Sequence, residues 1–305
     1  MDYEQELDYE KEELIPTKRR KVKRIRKWTI ARHSVQVFIL LFFLSPLVLV
    51  EVEGENFFYG SLSSSQIFGI PLSDPFAALQ VTLASREIHW GYLGGALIIF
   101  LGYLLIRGRV FCSWVCPVNT LLEVTDKIRK YINLPDKPLN RKNKMYVALI
   151  TLILSFLVGV PIFELISPIG NTMRSLIFSM GIGLWIILAI VIFDLVVSKR
   201  GWCRYLCPLG GLYQSIGKFG LFRVKFDHNR CRGCDMCRSV CLSDPDILEP
   251  GINRLEMYVS DADCTLCGKC VDNCPMQALS ITLRKQDPIK LEATHEEKKK
   301  WFIGA

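Results

Sequence analysis

Four long apolar runs, separated by polar and charged segments, dominate the first two-thirds of the chain. They are Ile30–Val50, Ile88–Ile106, Met145–Ile166 and Ser175–Val197. About 20 consecutive apolar residues let a helix cross the hydrocarbon core of a bilayer. Backbone polar groups in lipid must be satisfied within the segment, so these runs are expected to be helices. The pattern predicts a membrane all-α four-helix bundle. The first run is too long for the apolar part of a signal peptide and lacks a small-residue cleavage pattern. It is expected to stay as an anchor.

The polar segments set an orientation. Residues 1–15 are acidic and aperiodic, and residues 16–32 are strongly basic. Segment 107–144 holds Arg107, Arg109, Lys127, Arg129, Lys130, Arg141, Lys142 and Lys144 against few acids, whereas segment 51–87 has Arg86 as its only cation. Lys199 and Arg200 follow the fourth run. Basic flanks mark the cytoplasmic side. The expectation is a multi-pass protein of the bacterial inner membrane, in contact with lipid, with both termini cytoplasmic and 51–87 as an outer loop.

A repeat runs through this region. Arg109-Val-Phe-Cys112-Ser-Trp-Val-Cys116-Pro117 follows the second run, and Gly201-Trp-Cys203-Arg-Tyr-Leu-Cys207-Pro208 follows the fourth. An amphipathic stretch trails each, with Leu121, Leu122, Val124, Ile128 and Tyr131 in one and Leu212, Ile216, Phe219 and Leu221 in the other. Such spacing suits helices lying in a membrane interface. Ser45-Pro46 and Ser167-Pro168 sit near the outer ends of the first and third runs. The bundle thus reads as two pseudo-repeated hairpins.

Beyond residue 222 the pattern changes to clustered cysteines. Cys231-x2-Cys234-x2-Cys237-x3-Cys241 precedes Cys264-x2-Cys267-x2-Cys270-x3-Cys274-Pro275. This is the bacterial ferredoxin run, present twice, in which the fourth cysteine of each run serves the other cluster. One [4Fe–4S] cluster is therefore assigned to Cys231, Cys234, Cys237 and Cys274, the other to Cys264, Cys267, Cys270 and Cys241. Zinc ribbons use paired Cys-x2-Cys or histidine, a poorer match to two four-cysteine runs. Leu242 stands where the run usually has proline. The expected organisation is a tail at 1–29, the helical domain at 30–222, an α+β 2[4Fe–4S] ferredoxin-like domain at 223–285, and a charged tail at 286–305.

On a helix, residues four apart share a face. Cys112 with Cys116, and Cys203 with Cys207, would then each present two thiols to one point. Three readings stay open: a third iron–sulfur centre shared by both pairs, a thiol/disulfide or Cu(I) site, or cysteines that only pack. Ionisable groups within apolar runs are costly and often functional. Glu164, Asp194, His33 and His89 are the candidates for a quinol site, because quinol oxidation releases protons that need an acceptor.

Composition narrows the classes further. The chain has 305 residues, twelve cysteines and a net charge of +8. A secreted disulfide framework does not fit cysteines on the reducing side. Nucleic-acid binding is set aside because the cations flank apolar runs.

The order of four runs, Phe111-Cys-Ser-Trp-Val-Cys-Pro117, Gly201-Trp-Cys…Cys-Pro208 and two ferredoxin runs resembles the NapH family of ferredoxin-type proteins. Leu72-Ser-Asp-Pro75 with Leu79-Gln80 also looks like that family. The resemblance covers about residues 28 to 284. It implies a quinol dehydrogenase component of the periplasmic nitrate reductase system. Electrons would pass from the quinone pool to a periplasmic ferredoxin of the NapG type, a c-type cytochrome and the reductase. The helical core also resembles nitrous-oxide reductase regulators, methylamine-utilisation proteins and a copper-handling oxidase assembly factor. A maturation factor reducing copper or thiols is the alternative function.

Overall fold

The computed structural model describes residues 26–53, 58–60, 64–67, 70–132, 134, 136–137, 139–171 and 181–285. Of the expected terminal tails, 1–25 and 286–305 lie outside the described residues. Helix α1 (Lys27–Glu53) leads into an antiparallel meander of β1 (Phe58–Gly60), β2 (Ser64–Ile67) and β3 (Ile70–Ser73). Helix α2 (Pro75–Ser85) follows at once. Asp74 caps it, accepting from the Phe76 and Ala77 amides at 3.0 and 3.1 Å, with Pro75 at the first helical position. A carboxylate N-cap followed by proline satisfies donors a helix start would otherwise orphan. Arg86 ends α2 in the left-handed conformation.

Helix α3 (Trp90–Ile106) packs on β3 where Gly95 lets the Pro71 carbonyl come close. Two short elements carry the first cysteine pair: α4 (Val110–Trp114) and the long amphipathic α5 (Pro117–Ile132). Helix α6 (Asn143–Val158) stops at Gly159, whose φ of 74° suits a left-handed C-cap. Helix α7 (Ile162–Ile166) and helix α8 (Gly181–Val196) come next. Arg129 of α5 is buried and donates to the Asp194 and Leu195 carbonyls at 2.6 and 2.8 Å, capping the end of α8. A π-helical turn (Trp202–Leu206) and α9 (Pro208–Gly217) carry the second pair.

The last unit is framed by two antiparallel strands, β4 (Phe222–Phe226) and β5 (Leu279–Leu283), paired Phe222 to Leu283 through Phe226 to Leu279. Between them lie short helices α10 (Met236–Ser239), α11 (Glu249–Ile252) and α12 (Lys269–Asn273). Its core packs Val224, Phe226, Ile247 and Leu248 around the cysteines. A separate core of Phe76, Phe111, Leu122, Phe163 and Tyr213 sits within the helical half.

The structure corrects the expected membrane four-helix bundle and its multi-pass inner-membrane placement. Among the described residues no helix is long and apolar enough to cross a membrane. Helix α3 has 17 residues and α6 and α8 have 16 each. At 1.5 Å per residue these reach about 25 Å, short of a core of about 30 Å. Gly159 and Pro161 break the third run into α6 and α7. Helix α1 has 27 residues, and Arg32 and His33 in its opening turns engage Glu123.

The layered topology fails on contacts as well. Asp74, expected in an outer loop, accepts a hydrogen bond at 2.5 Å from Tyr213, expected on the opposite side. The cations read as topology flanks are internal ties. Arg107 is fully buried and donates to the carbonyls of Phe222, Val259 and Asp261. Arg109 and Lys144 pair with Asp263, and Arg141 with Asp244, Asp246 and Asp261. The amphipathic stretches divide likewise. Leu122 and Ile216 are buried, whereas Leu121, Val124, Ile128, Tyr131, Phe219 and Leu221 are exposed.

Candidate metal centres

The two ferredoxin runs fold as matched turns. In the first, Gly233 and Asp235 flank Cys234 with φ of 67° and 54°; in the second, Leu266 and Gly268 flank Cys267 with φ of 51° and 70°. Left-handed residues on both sides of the middle cysteine curl the backbone around one point. Each third cysteine then opens a short helix, α10 or α12. Glycine takes this conformation freely, while Asp235 and Leu266 hold it at a steric cost.

These turns bring the cysteines together as the spacing suggests. Cys231, Cys234, Cys237 and Cys274 line one cavity with Met276 and Ile252. Burial first, then the neighbouring Cys274, Cys231 and Cys234, push the Cys237 thiol up to about 11. Cys241, half-buried, lies beside Cys267 and Cys264, and the buried Cys270 beside all three; desolvation and these neighbours raise both thiols. Each fourth cysteine thus stands with the other run.

The loops differ in cover. Residues 232–236 are exposed, Cys234 among them, while Ala262–Gly268 are buried under the helical half. Ser113 Oγ donates to the Thr265 carbonyl at 2.8 Å, and Trp114 Nε1 donates to the Leu266 carbonyl at 3.2 Å. The Trp28 and Thr29 amides donate to Asp272. Gly268 lies against the Trp28 ring, where no Cβ would fit.

Cys112, Cys116, Cys203 and Cys207 line a further cavity with Phe111, Pro168 and Trp202. The pairs do not sit on α-helical faces as the spacing alone suggests. Cys116 N donates to Phe111 O at 3.1 Å and Cys207 N to Trp202 O at 2.8 Å. Both closures skip five residues, a wider turn often found at functional sites. Proline follows each at the start of α5 and α9. Pro168, expected far from the cysteines, lies in the same cavity.

An arginine stands three residues before each pair. Arg109 and Arg200 are both buried. Arg109 donates to Asp263 at 2.6 Å and to the Cys203 carbonyl at 3.1 Å, so it touches the second pair and the second ferredoxin loop. Burial alone would raise Asp263, but Arg109 and Lys144 outweigh it and hold its carboxyl below the usual range. Arg200 pairs with Asp126 at 2.6 Å and donates to Asn119. Three of the thiols, Cys116, Cys203 and Cys207, resist ionisation. Burial, Cys112 and Cys207 raise Cys116, and burial with Cys112 pushes Cys207 up to about 12. One buried and three half-buried thiols around one cavity, with guanidinium groups on two sides, fit a cationic iron–sulfur core.

Among the described residues no three Cys, His, Asp or Glu converge tightly enough for one metal ion.

The four quinol-site candidates are not brought together. His33 Nε2 lies 2.7 Å from Glu123, in a network with Arg32, Arg200 and Lys269. His89 precedes α3, exposed and without a capping bond. Asp194 is buried beside the second pair and accepts from the Trp202 amide at 3.0 Å. Burial, opposed by that bond, pushes Asp194 up to about 7. Glu164 lies on α7, near enough to raise Asp74. Asp74 itself, Tyr213 and the Arg109–Asp263 pair were missed. The Asp-Pro of Leu72-Ser-Asp-Pro75, a helix-start signal, was the available clue to Asp74.

A family model described as "4Fe-4S binding domain" matches residues 88–135 and 179–227, which hold the two cysteine pairs. A second, also described as "4Fe-4S binding domain", matches 257–280, the second ferredoxin run. The chain is 35% identical to the methylamine utilization ferredoxin-type protein MauN of Methylorubrum extorquens, over 86% of this chain and 91% of the relative. It is 35% identical to the ferredoxin-type protein NapH of Escherichia coli, over the same shares of 86% and 91%. The chain belongs to the NapH and MauN family of ferredoxin-type proteins. NapH of Haemophilus influenzae is 32% identical over 83% of this chain and 88% of its own. No solved structure matches the chain. Family membership and the 4Fe–4S domains establish iron–sulfur electron transfer as its chemistry.

Proposed function

We propose that the chain carries electrons along three iron–sulfur centres in series, as the dehydrogenase component that takes them from a quinol. Cys231, Cys234, Cys237 and Cys274 hold the outermost cluster. Cys264, Cys267, Cys270 and Cys241 hold the middle one. Cys112, Cys116, Cys203 and Cys207 hold the innermost, within the helical half. Residues 223–285 act as the ferredoxin-type unit. Each cluster supplies one-electron storage at a potential set by charge, hydrogen bonds and exposure.

Two hydrogen bonds support this order most directly. Ser113 and Trp114 lie between Cys112 and Cys116, and they donate to the carbonyls of Thr265 and Leu266, which lie between Cys264 and Cys267. The innermost and middle ligand loops are therefore fixed to one another. Arg109 reinforces the same joint and, with Arg200, places positive charge beside thiolate ligands. Leu122, Phe111, Tyr213 and Ile169 exclude water from the innermost site. The exposed loop around Cys234 leaves the outermost site open to an acceptor, by resemblance a ferredoxin or c-type cytochrome of a nitrate-reducing chain. A maturation factor that reduces copper or thiols is the alternative reading of the same four cysteines.

Anaerobically purified protein should show reduced [4Fe–4S] EPR signals on addition of a menaquinol analogue. Signals that form with dithionite and never with quinol would remove the quinol and leave the electron carrier.

A further inference from the structure

We propose that Asp74 is a proton-accepting site coupled to the four-cysteine centre, taking up one proton from solvent for each electron delivered there. The inference rests on Cys112, Cys116, Cys203 and Cys207 holding a redox centre. Asp74 is buried, yet among the described residues it makes no ion pair. Its oxygens meet the Tyr213 hydroxyl at 2.5 Å and the Phe76 and Ala77 amides. A buried carboxylate without a counter-cation is poised to be neutralised by a proton.

Aromatic side chains connect this carboxyl to the cysteines. The Tyr213 ring lies 5.5 Å from Phe111, which adjoins Cys112, and 5.1 Å from Tyr103, which lies 6.0 Å from Phe111. Tyr103 and Tyr213 each feel the charges of both Asp74 and Cys112. The charged and titratable groups facing Asp74 are few. Glu164 comes from α7, Tyr103 from α3 and Tyr213 from α9, and α6 offers the uncharged Ser155 near Gln80. Arg109 lies beyond the cysteines, paired with Asp263. Negative charge added at the cysteines therefore meets no nearby cation on the Asp74 side.

Burial pushes Asp74 up to about 6, with Glu164 raising it and the Tyr213 and amide bonds opposing. With dithionite as electron donor and solvent as proton donor, reduction of the centre is balanced by protonation of one carboxylate oxygen. Above about pH 6 the midpoint potential of this centre should fall by about 59 mV per pH unit, the value for one proton and one electron. Below about pH 6 it should be flat.

The test is a redox titration of the purified full-length chain between pH 5 and 8, followed by EPR, with FTIR difference spectra of the carboxyl region. The innermost signal is identified by its loss in Cys112→Ser/Cys203→Ser. Asp74→Asn keeps a good N-cap and should abolish both the pH slope and the carboxyl band. Tyr213→Phe removes a bond that lowers the Asp74 value and should move the sloping window to higher pH. A wild-type potential flat with pH, with the innermost signal present, overturns the inference and leaves the centre intact. A slope that survives in Asp74→Asn and vanishes in Asp194→Asn overturns it in favour of Asp194. If wild type holds only two clusters, the inference falls with the reading on which it rests.

Discussion

Arg109 Nη1 lies 2.6 Å from Asp263 Oδ1, and both side chains are buried. One residue precedes the first cysteine pair and the other adjoins Cys264. Their contact joins two parts of the chain separated by about 150 residues of sequence. Lys144 shares Asp263, and burial together with Arg109 lowers the lysine to about 8. Removing one partner of a buried pair leaves an uncompensated charge.

Arg109→Gln leaves Asp263 paired with Lys144, so its cost should stay below the ~3–5 kcal/mol of a fully stranded buried charge. Asp263→Asn strands both Arg109 and Lys144 and should cost more. Denaturant midpoints of the two variants against wild type read this. A larger loss in Arg109→Gln than in Asp263→Asn would contradict the shared pairing.

Two glycines separate conformational strain from steric clash. Gly233 and Gly268 both have positive φ, at 67° and 70°. Alanine costs roughly 1–2 kcal/mol in that region. A Cβ at Gly233 meets open space, whereas one at Gly268 runs into Trp28. Gly233→Ala should lower stability modestly and keep its iron. Gly268→Ala should lose more stability and shed iron from the cluster of Cys264, Cys267 and Cys270. Iron content and melting temperature of both variants check this.

The buried acids predict opposite pH dependences. Glu123 is held down to about 2, because Arg32, the His33 bond, Lys269 and Arg200 outweigh its burial. Its stabilising contribution is complete above the ordinary carboxylate range near 4.3, and is lost as pH falls toward 2. Asp74 is raised by burial to about 6. Its contribution is complete below the ordinary value near 3.9 and is lost as pH rises through 6, where the native state must release its proton. Glu123→Gln should flatten the acid limb of a stability profile, and Asp74→Asn the rise in instability toward neutral pH. A profile unchanged by either substitution would contradict these assignments.

The ferredoxin runs were legible because their chemistry is local. Ligand spacing, the glycine at 233 or 268 and the short helix after the third cysteine are all written within a dozen residues. The repeated Cys-x3-Cys-Pro was legible as a repeat but not as a shape, since its closures at Cys116 and Cys207 skip five residues instead of four. Orientation was misjudged because charge counting assumes solvated cations. Arg107, Arg109, Arg129 and Lys144 are instead buried in internal bonds whose partners lie far away in sequence. Apolar run length also misled, because Gly159 and Pro161 cut the third run short. Asp74 was hidden for a related reason: its partner Tyr213 is 139 residues away.

The measurement closest to the central claim is iron stoichiometry with EPR on anaerobically reconstituted protein, comparing wild type with Cys112→Ser/Cys203→Ser. Three four-iron clusters predict that the variant loses about one third of the iron and one EPR signal, while both ferredoxin-type signals remain. Equal iron in the two proteins, with unchanged spectra, would contradict a centre at the four helical cysteines.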